Sequence, residues 1–171
     1  MAPSKWAMTL NQAPVGNIRL ALTQWPVMHR IRAVCDAFGS YRTVVSKLQS
    51  YQTHSPFFMH IVGTKPKEHC VISGLVKEYK KRNLGAEKVL IQTNHYVDQD
   101  LAAHNPSNEE GGWYYDTYDR YDFLAERLAK TPNSLSGASK LLRLNPVYNS
   151  DTQHSMVFCP KTGSSQIALR C

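Results

Sequence analysis

Long apolar runs are missing from this 171-residue chain. The longest, Met156 to Cys159, has four residues, against about 18 needed to cross a bilayer as a helix. A transmembrane helix is therefore excluded. No apolar segment of the secretory type follows Met1-Ala2-Pro3-Ser4-Lys5-Trp6. Glycosylation sequons are also lacking, since Asn105-Pro106-Ser107 is spoiled by its proline. Cysteine is scarce: Cys35, Cys70, Cys159 and Cys171 show no CxxC spacing, which argues against a zinc ribbon or a thioredoxin-type site. Cys35 lies on an apolar helical face and reads as core, Cys70 sits inside a strand pattern, and Cys159 and Cys171 flank a hairpin, where the sequence leaves their pairing open. The seven histidines form no HExxH or facial-triad pattern. His60 and His69 can meet across a hairpin, but neither a metal nor any other cofactor is expected. Gly111 and Gly112 lack the setting and the lysine of a phosphate loop.

What is present is a folded domain: 42% hydrophobic, 19% charged, one domain over residues 1–171. The net charge of +7 is unevenly spread. Residues 1–93 carry 13 basic and 4 acidic side chains, and residues 127–171 carry 6 and 1. Between them, residues 94–126 hold 8 acidic side chains and one basic residue, Arg120. Nucleic-acid binding needs basic residues gathered on one stripe. The only tight cluster, Lys77, Lys80, Lys81 and Arg82, reads as a solvated turn, so no nucleic-acid partner is expected.

Periodicity predicts a strand at Trp6 to Asn11. A helix opened by Pro26 carries Val27, Ile31, Val34 and Phe38 on one face. Ser40 then caps a second helix with the stripe Val44, Val45, Leu48 and Tyr51. Strands are expected at Phe57–Val62, His69–Leu75 and Lys88–Gln92. Residues 98–119 read as a long acidic, aromatic loop of the kind that covers a site. Helices around Tyr121–Leu128 and Leu135–Leu142 follow, then a terminal hairpin from Ser155 to Leu169. That order gives an α+β fold with helices layered on antiparallel sheet.

Candidate chemistry gathers at Leu10-Asn11-Gln12, Gln92-Thr93-Asn94-His95-Tyr96 and Asp119-Arg120-Tyr121. A carboxamide just past a strand, such as Asn94, can donate N–H bonds to a developing oxyanion. Arg120 can orient a polar group through charge-assisted bonds. From spacing alone, turn asparagines and a surface arginine paired with Asp119 or Asp122 are the preferred reading.

Thr9-Leu10-Asn11, the helical pair, Phe57 to Gly63 running into His69-Cys70-Val71-Ile72, Gln92-Thr93-Asn94-His95 and Asp119-Arg120 occur in an order that resembles one family. It is that of the cysteine-dependent N-terminal-nucleophile amidases: acid ceramidase, N-acylethanolamine acid amidase and choloylglycine hydrolase. The likeness runs from about residue 6 to residue 169, and Pro146-Val147-Tyr148-Asn149 before the hairpin extends it. The resemblance implies a four-layer αββα sandwich, here without its first strands, that hydrolyses linear amide C–N bonds of N-acyl substrates. It implies an amino-terminal cysteine as nucleophile, its own α-amine as base and an acyl thioester intermediate. Asn94, Arg120 and Asn11 would then be catalytic, while Gln12, His95, Trp113 and Tyr114 would line the substrate. Gln12 stands where acid ceramidases tend to carry glutamate.

The nucleophile is expected on a missing amino-terminal segment or subunit, because removing Met1 would expose an alanine. Cleavage before Cys70 would discard Asn11 and both helices, so Cys70 is not expected to replace it. Alone, the chain is expected to be inactive, with an N-acyl amide substrate, the missing segment and a second copy of itself as partners. The resemblance points to a lysosomal or secreted location. A non-catalytic relative binding an acyl or amide ligand is the alternative, and a basic surface on anionic membrane or nucleic acid is a third reading.

Overall fold

A computed structural model describes residues 6–14, 23–37, 39–85, 89–105 and 115–169, without the Tyr115 side chain. Expectations on Phe38, Lys88, Trp113, Tyr114 and Cys171 fall outside those residues. The chain opens with strand β1 (Trp6–Gln12), followed by helices α1 (Val27–Asp36) and α2 (Tyr41–Ser50). Strands β2 (Phe57–Gly63), β3 (His69–Gly74) and β4 (Tyr79–Asn83) then form a meander. A 3-10 helix over Gln99–His104 leads to helices α3 (Tyr115–Leu128) and α4 (Leu135–Leu141). The chain closes with strands β5 (His154–Cys159) and β6 (Ser164–Leu169). The described strands make two antiparallel sheets, ordered β1-β2-β3-β4 and β5-β6. The fold is thus mixed α+β.

Alternation divides the larger sheet into two faces. Trp6, Phe57, Met59, Ile61, Cys70 and Ile72 point to the side covered by α1 and α2, where they meet Val27, Val34, Val44, Val45 and Leu48. Burial of one such large apolar side chain contributes about 1.5–3 kcal/mol, so this layer holds the domain together. Trp6 adds a bond from its indole Nε1 to the Gly39 carbonyl, 2.9 Å long. The helical pair begins where expected, with the Ser40 hydroxyl accepting from the Thr43 amide at 3.3 Å. The second face carries Asn11, Phe58, His60, His69, Val71, Ser73 and Arg82, and its small core joins Ala13, Phe58, Leu75, Tyr96 and Leu101.

Three expectations are corrected. Among the described residues of the expected strand 88–92, Val89 to Gln92 form none. They run over the second face, held by side chains instead of a ladder. The strand that follows β3 is Tyr79–Asn83, so most of the basic cluster lies on a sheet edge and not in a turn. Lysines on an edge deter pairing with other chains, and they also mask strand alternation. Lastly, the loop 98–119 is interrupted by the 3-10 helix and ends at α3, which places Arg120 inside a helix. Asp116 near the start of α3 favours the helix dipole, and such charges obscured the apolar stripe.

These packing differences have measurable consequences. In urea titration, Ser40→Ala should cost about 1 kcal/mol by loss of the α2 cap. Met59→Ala, at a fully buried position, should cost about 2–5 kcal/mol.

Candidate functional site

The strandless segment 89–96 needs partners for its backbone groups, because buried amides and carbonyls are rarely left unpaired. Arg82 on β4 donates from Nη2 to the Ile91 carbonyl at 2.8 Å and to the Gln92 Oε1 at 2.9 Å. Gln92 donates in turn to the His95 carbonyl at 2.6 Å. From β1, the Asn11 Nδ2 donates to the carbonyls of Gln92 and Thr93, at 3.2 and 3.4 Å. Beyond the site, the Asn105 carboxamide imitates a strand, accepting from the Tyr96 amide and donating to its carbonyl at 2.6 and 2.9 Å.

Asn94 sits at the crossing of three elements. Its amide N–H donates to the Thr117 hydroxyl on α3 at 2.7 Å. Its side-chain Nδ2 donates to the Gln12 carbonyl at the end of β1, 2.9 Å away. Its Oδ1 accepts from Nη2 of Arg120 at 3.1 Å. Arg120 is held by a bond from its Nε to the Asp116 carbonyl one turn earlier, at 2.9 Å. Burial lowers the Arg120 pKa, with the Asp116 charge opposing, but a guanidinium stays charged at any working pH. Because Oδ1 faces a cation and Nδ2 a carbonyl, the amide can take only one orientation. Among the described residues, the second Nδ2 hydrogen has no acceptor.

His95 lies behind this group and is buried. Its Nδ1 is 3.1 Å from both the Thr93 and Thr117 hydroxyls, and its ring stacks on Tyr118 at 4.3 Å with the Tyr121 edge at 5.3 Å. Burial lowers its pKa, with Asp122 opposing and Arg120 and Arg82 adding to the fall. His95 is therefore a neutral wall of the site at neutral pH.

The structure thus brings Asn11, the Gln12 backbone, Asn94, His95 and Arg120 into one network. The Gln12 side chain is exposed. Two members escape the sequence reading. Thr117 is fully buried and ties α3 to residues 93–95. It lies three positions before Arg120, on the same helix face, a signal visible only once α3 is known to start at Tyr115. Arg82 was hidden among lysines. Next to the network, a groove of about 1250 Å³ runs between Val89–Ile91, the α3 residues Tyr121, Ala125 and Leu128, and Pro132.

The described thiols lie elsewhere. Cys70 points to the helix-covered face, opposite Asn11, and burial raises its pKa. Cys35 also packs on that side, and Cys159 lies on the terminal hairpin. No group of three or more His, Cys, Asp or Glu residues able to hold a metal occurs among the described residues. No helix there is long and apolar enough to cross a membrane.

No family model and no curated protein matches the chain. Among solved structures it matches the N-acylethanolamine-hydrolyzing acid amidase (NAAA) ortholog of Caenorhabditis elegans with a TM-score of 0.73 at 22% identity. The match covers 97% of this chain and 74% of that one. The resemblance drawn from Gln92-Thr93-Asn94-His95 and Asp119-Arg120 is therefore met by the fold.

Thr117→Val, which keeps the shape and removes the hydroxyl, should lower stability by about 1–3 kcal/mol by stranding the Asn94 N–H. Thr117→Ser should recover most of that loss. Equal losses in chemical denaturation would show that the hydroxyl bonds do not matter.

Proposed function

We propose that this chain forms the oxyanion-binding and substrate-facing portion of an amidase that cleaves linear amide bonds of N-acyl substrates. The observation that carries this reading is the fixed Asn94 carboxamide, with one N–H that has no acceptor among the described residues, in a fold shared with an NAAA ortholog. The attacking thiol and its α-amine base come from chain beyond this sequence. In support, Cys35 and Cys70 pack on the helix-covered side of the larger sheet, opposite Asn11, and about a quarter of the matched structure has no counterpart here. The added strands pair with the outer rim of β1, which has no partner among the described residues. Together with the second sheet they complete a four-layer αββα sandwich.

In this mechanism the thiolate attacks the acyl carbon, and the carbonyl π electrons move to oxygen. The free Asn94 N–H then stabilises that oxygen, a contribution of about 2.7–4 kcal/mol for one such donor. Collapse of the adduct breaks the C–N bond, and the amine leaves with a proton from the α-ammonium group. Water then hydrolyses the thioester, which releases the acid and restores the thiol. Arg120 acts by charge: its bond to Oδ1 polarises the Asn94 amide and strengthens the N–H as a donor. Asn11 is a positioning residue, because its Nδ2 is spent on the carbonyls of Gln92 and Thr93. The apolar side of the groove along Val89–Ile91 and α3 suits an acyl chain.

The complete native protein, incubated with a long-chain N-acylethanolamide or a ceramide, should accumulate an acyl thioester that hydroxylamine traps. Asn94→Ala should slow acylation by about 10²–10³ with folding nearly unchanged. Tight ligand binding with no trapped acyl group would identify a non-catalytic relative. Acylation at the wild-type rate in the variant would remove Asn94 from the oxyanion role.

A further inference from the structure

Two cavities meet at the far end of α3. The first is the apolar groove beside the candidate site. Its near end is marked by Ile91 and by Tyr121, whose ring lies 5.3 Å from that of His95. From there the groove follows α3 past Ala125, Leu128 and Ala129 to Pro132. At 1.5 Å per helical residue, Tyr121 to Ala129 spans about 12 Å. The second cavity, of about 460 Å³, lies between the last turn of α3 and α4. Thr131, Pro132 and Ser134 line both, so a chain lying in the groove can reach over this ridge into the second cavity.

The ridge is firmly held. Ser134 donates its amide to the Pro132 carbonyl at 2.8 Å, and its hydroxyl accepts from the Gly137 amide at 3.0 Å. A Cβ at Gly137 would collide with the Pro132 carbonyl, so α4 packs directly on the ridge because glycine stands there.

The two cavities differ in charge. Arg82 lines the groove at its near end and is spent on the Ile91 carbonyl and the Gln92 side chain. The second cavity is lined by Arg127, Lys130 and Lys140 against a single acid, Glu126. Glu126 lies 3.9 Å from Arg127 and 3.5 Å from Lys130, and all three side chains are more than half exposed. Exposed pairs of this kind hold weakly. Lys140 has no carboxylate partner among the described residues. Three cations facing one acid leave an excess of two positive charges for a ligand.

We propose that the second cavity is an anion subsite for the far end of the acyl chain, so that the favoured substrates carry a carboxylate there in place of a methyl group. This rests on the reading of the groove as the place of the acyl chain. The apolar stretch supplies affinity by burial, while the terminal charge discriminates among chains of equal length. A carboxylate set among cations stays ionised at lower pH than a free one, so the subsite also serves an enzyme that works in acid.

Equilibrium binding to the complete protein near neutral pH tests it, with dodecanamide and the monoamide of dodecanedioic acid as probes. The charged amide should bind roughly 10-fold tighter, and that advantage should fade at about 1 M salt. Lys130→Gln/Lys140→Gln, two changes at exposed positions, should remove most of the advantage and leave dodecanamide bound as before. Glu126→Gln should enlarge it. Equal affinity for the two amides, failure of both to bind, or an advantage untouched by the lysine changes would each overturn the subsite. Thioester trapping is read separately. A carboxylate preference without any trapped acyl group removes the amidase reading and keeps the subsite, and trapping without the preference does the reverse.

Discussion

Residues 89–96 cross a sheet face without joining a ladder, so side chains must satisfy their backbone groups. Arg82, Asn11, Gln92, Thr117 and Asn105 do so. The rest of the site depends on this bracing. A strand would have aimed Asn94 by its pleat alone, whereas here its aim is set by bonds to β1, α3 and Arg120. The arrangement suits chemistry, because each brace fixes the carboxamide in another direction. A donor held before the reaction loses little in reorganisation.

The two faces of the larger sheet divide the labour. The face under α1 and α2 is apolar, tightly packed and supplies the stability. The other face carries Asn11, His60, His69 and Arg82, whose buried polar atoms cost free energy unless they are partnered. Polar groups in such a place are common where function sets the sequence.

Much of the fold was legible because its signals are local. The Ser40 cap, the stripe Val44, Val45 and Leu48, the turn after Gly63 and the terminal hairpin are each written in a few adjacent residues. The failures are equally physical. Val89-Leu90-Ile91 has strand composition, but tertiary bonds from Arg82 and Asn11 hold it away from a ladder. Tyr79–Asn83 was missed since an edge strand buries little and its lysines hide the alternation. The acids at the start of α3 read as loop, which concealed both the helical setting of Arg120 and the role of Thr117. Asn94 and Arg120 were picked out by residue type and by family resemblance. Their direct bond, across 26 residues of chain, had no signature in spacing.

At the centre lies the claim that Arg120 acts on the reaction through the Asn94 carboxamide. A double-mutant cycle on acylation by the complete protein, using Asn94→Ala, Arg120→Met and the pair, measures that coupling directly. The expected result is strong non-additivity, with Arg120→Met costing little once the carboxamide is gone. If the two losses simply add, Arg120 and Asn94 act independently and the account fails.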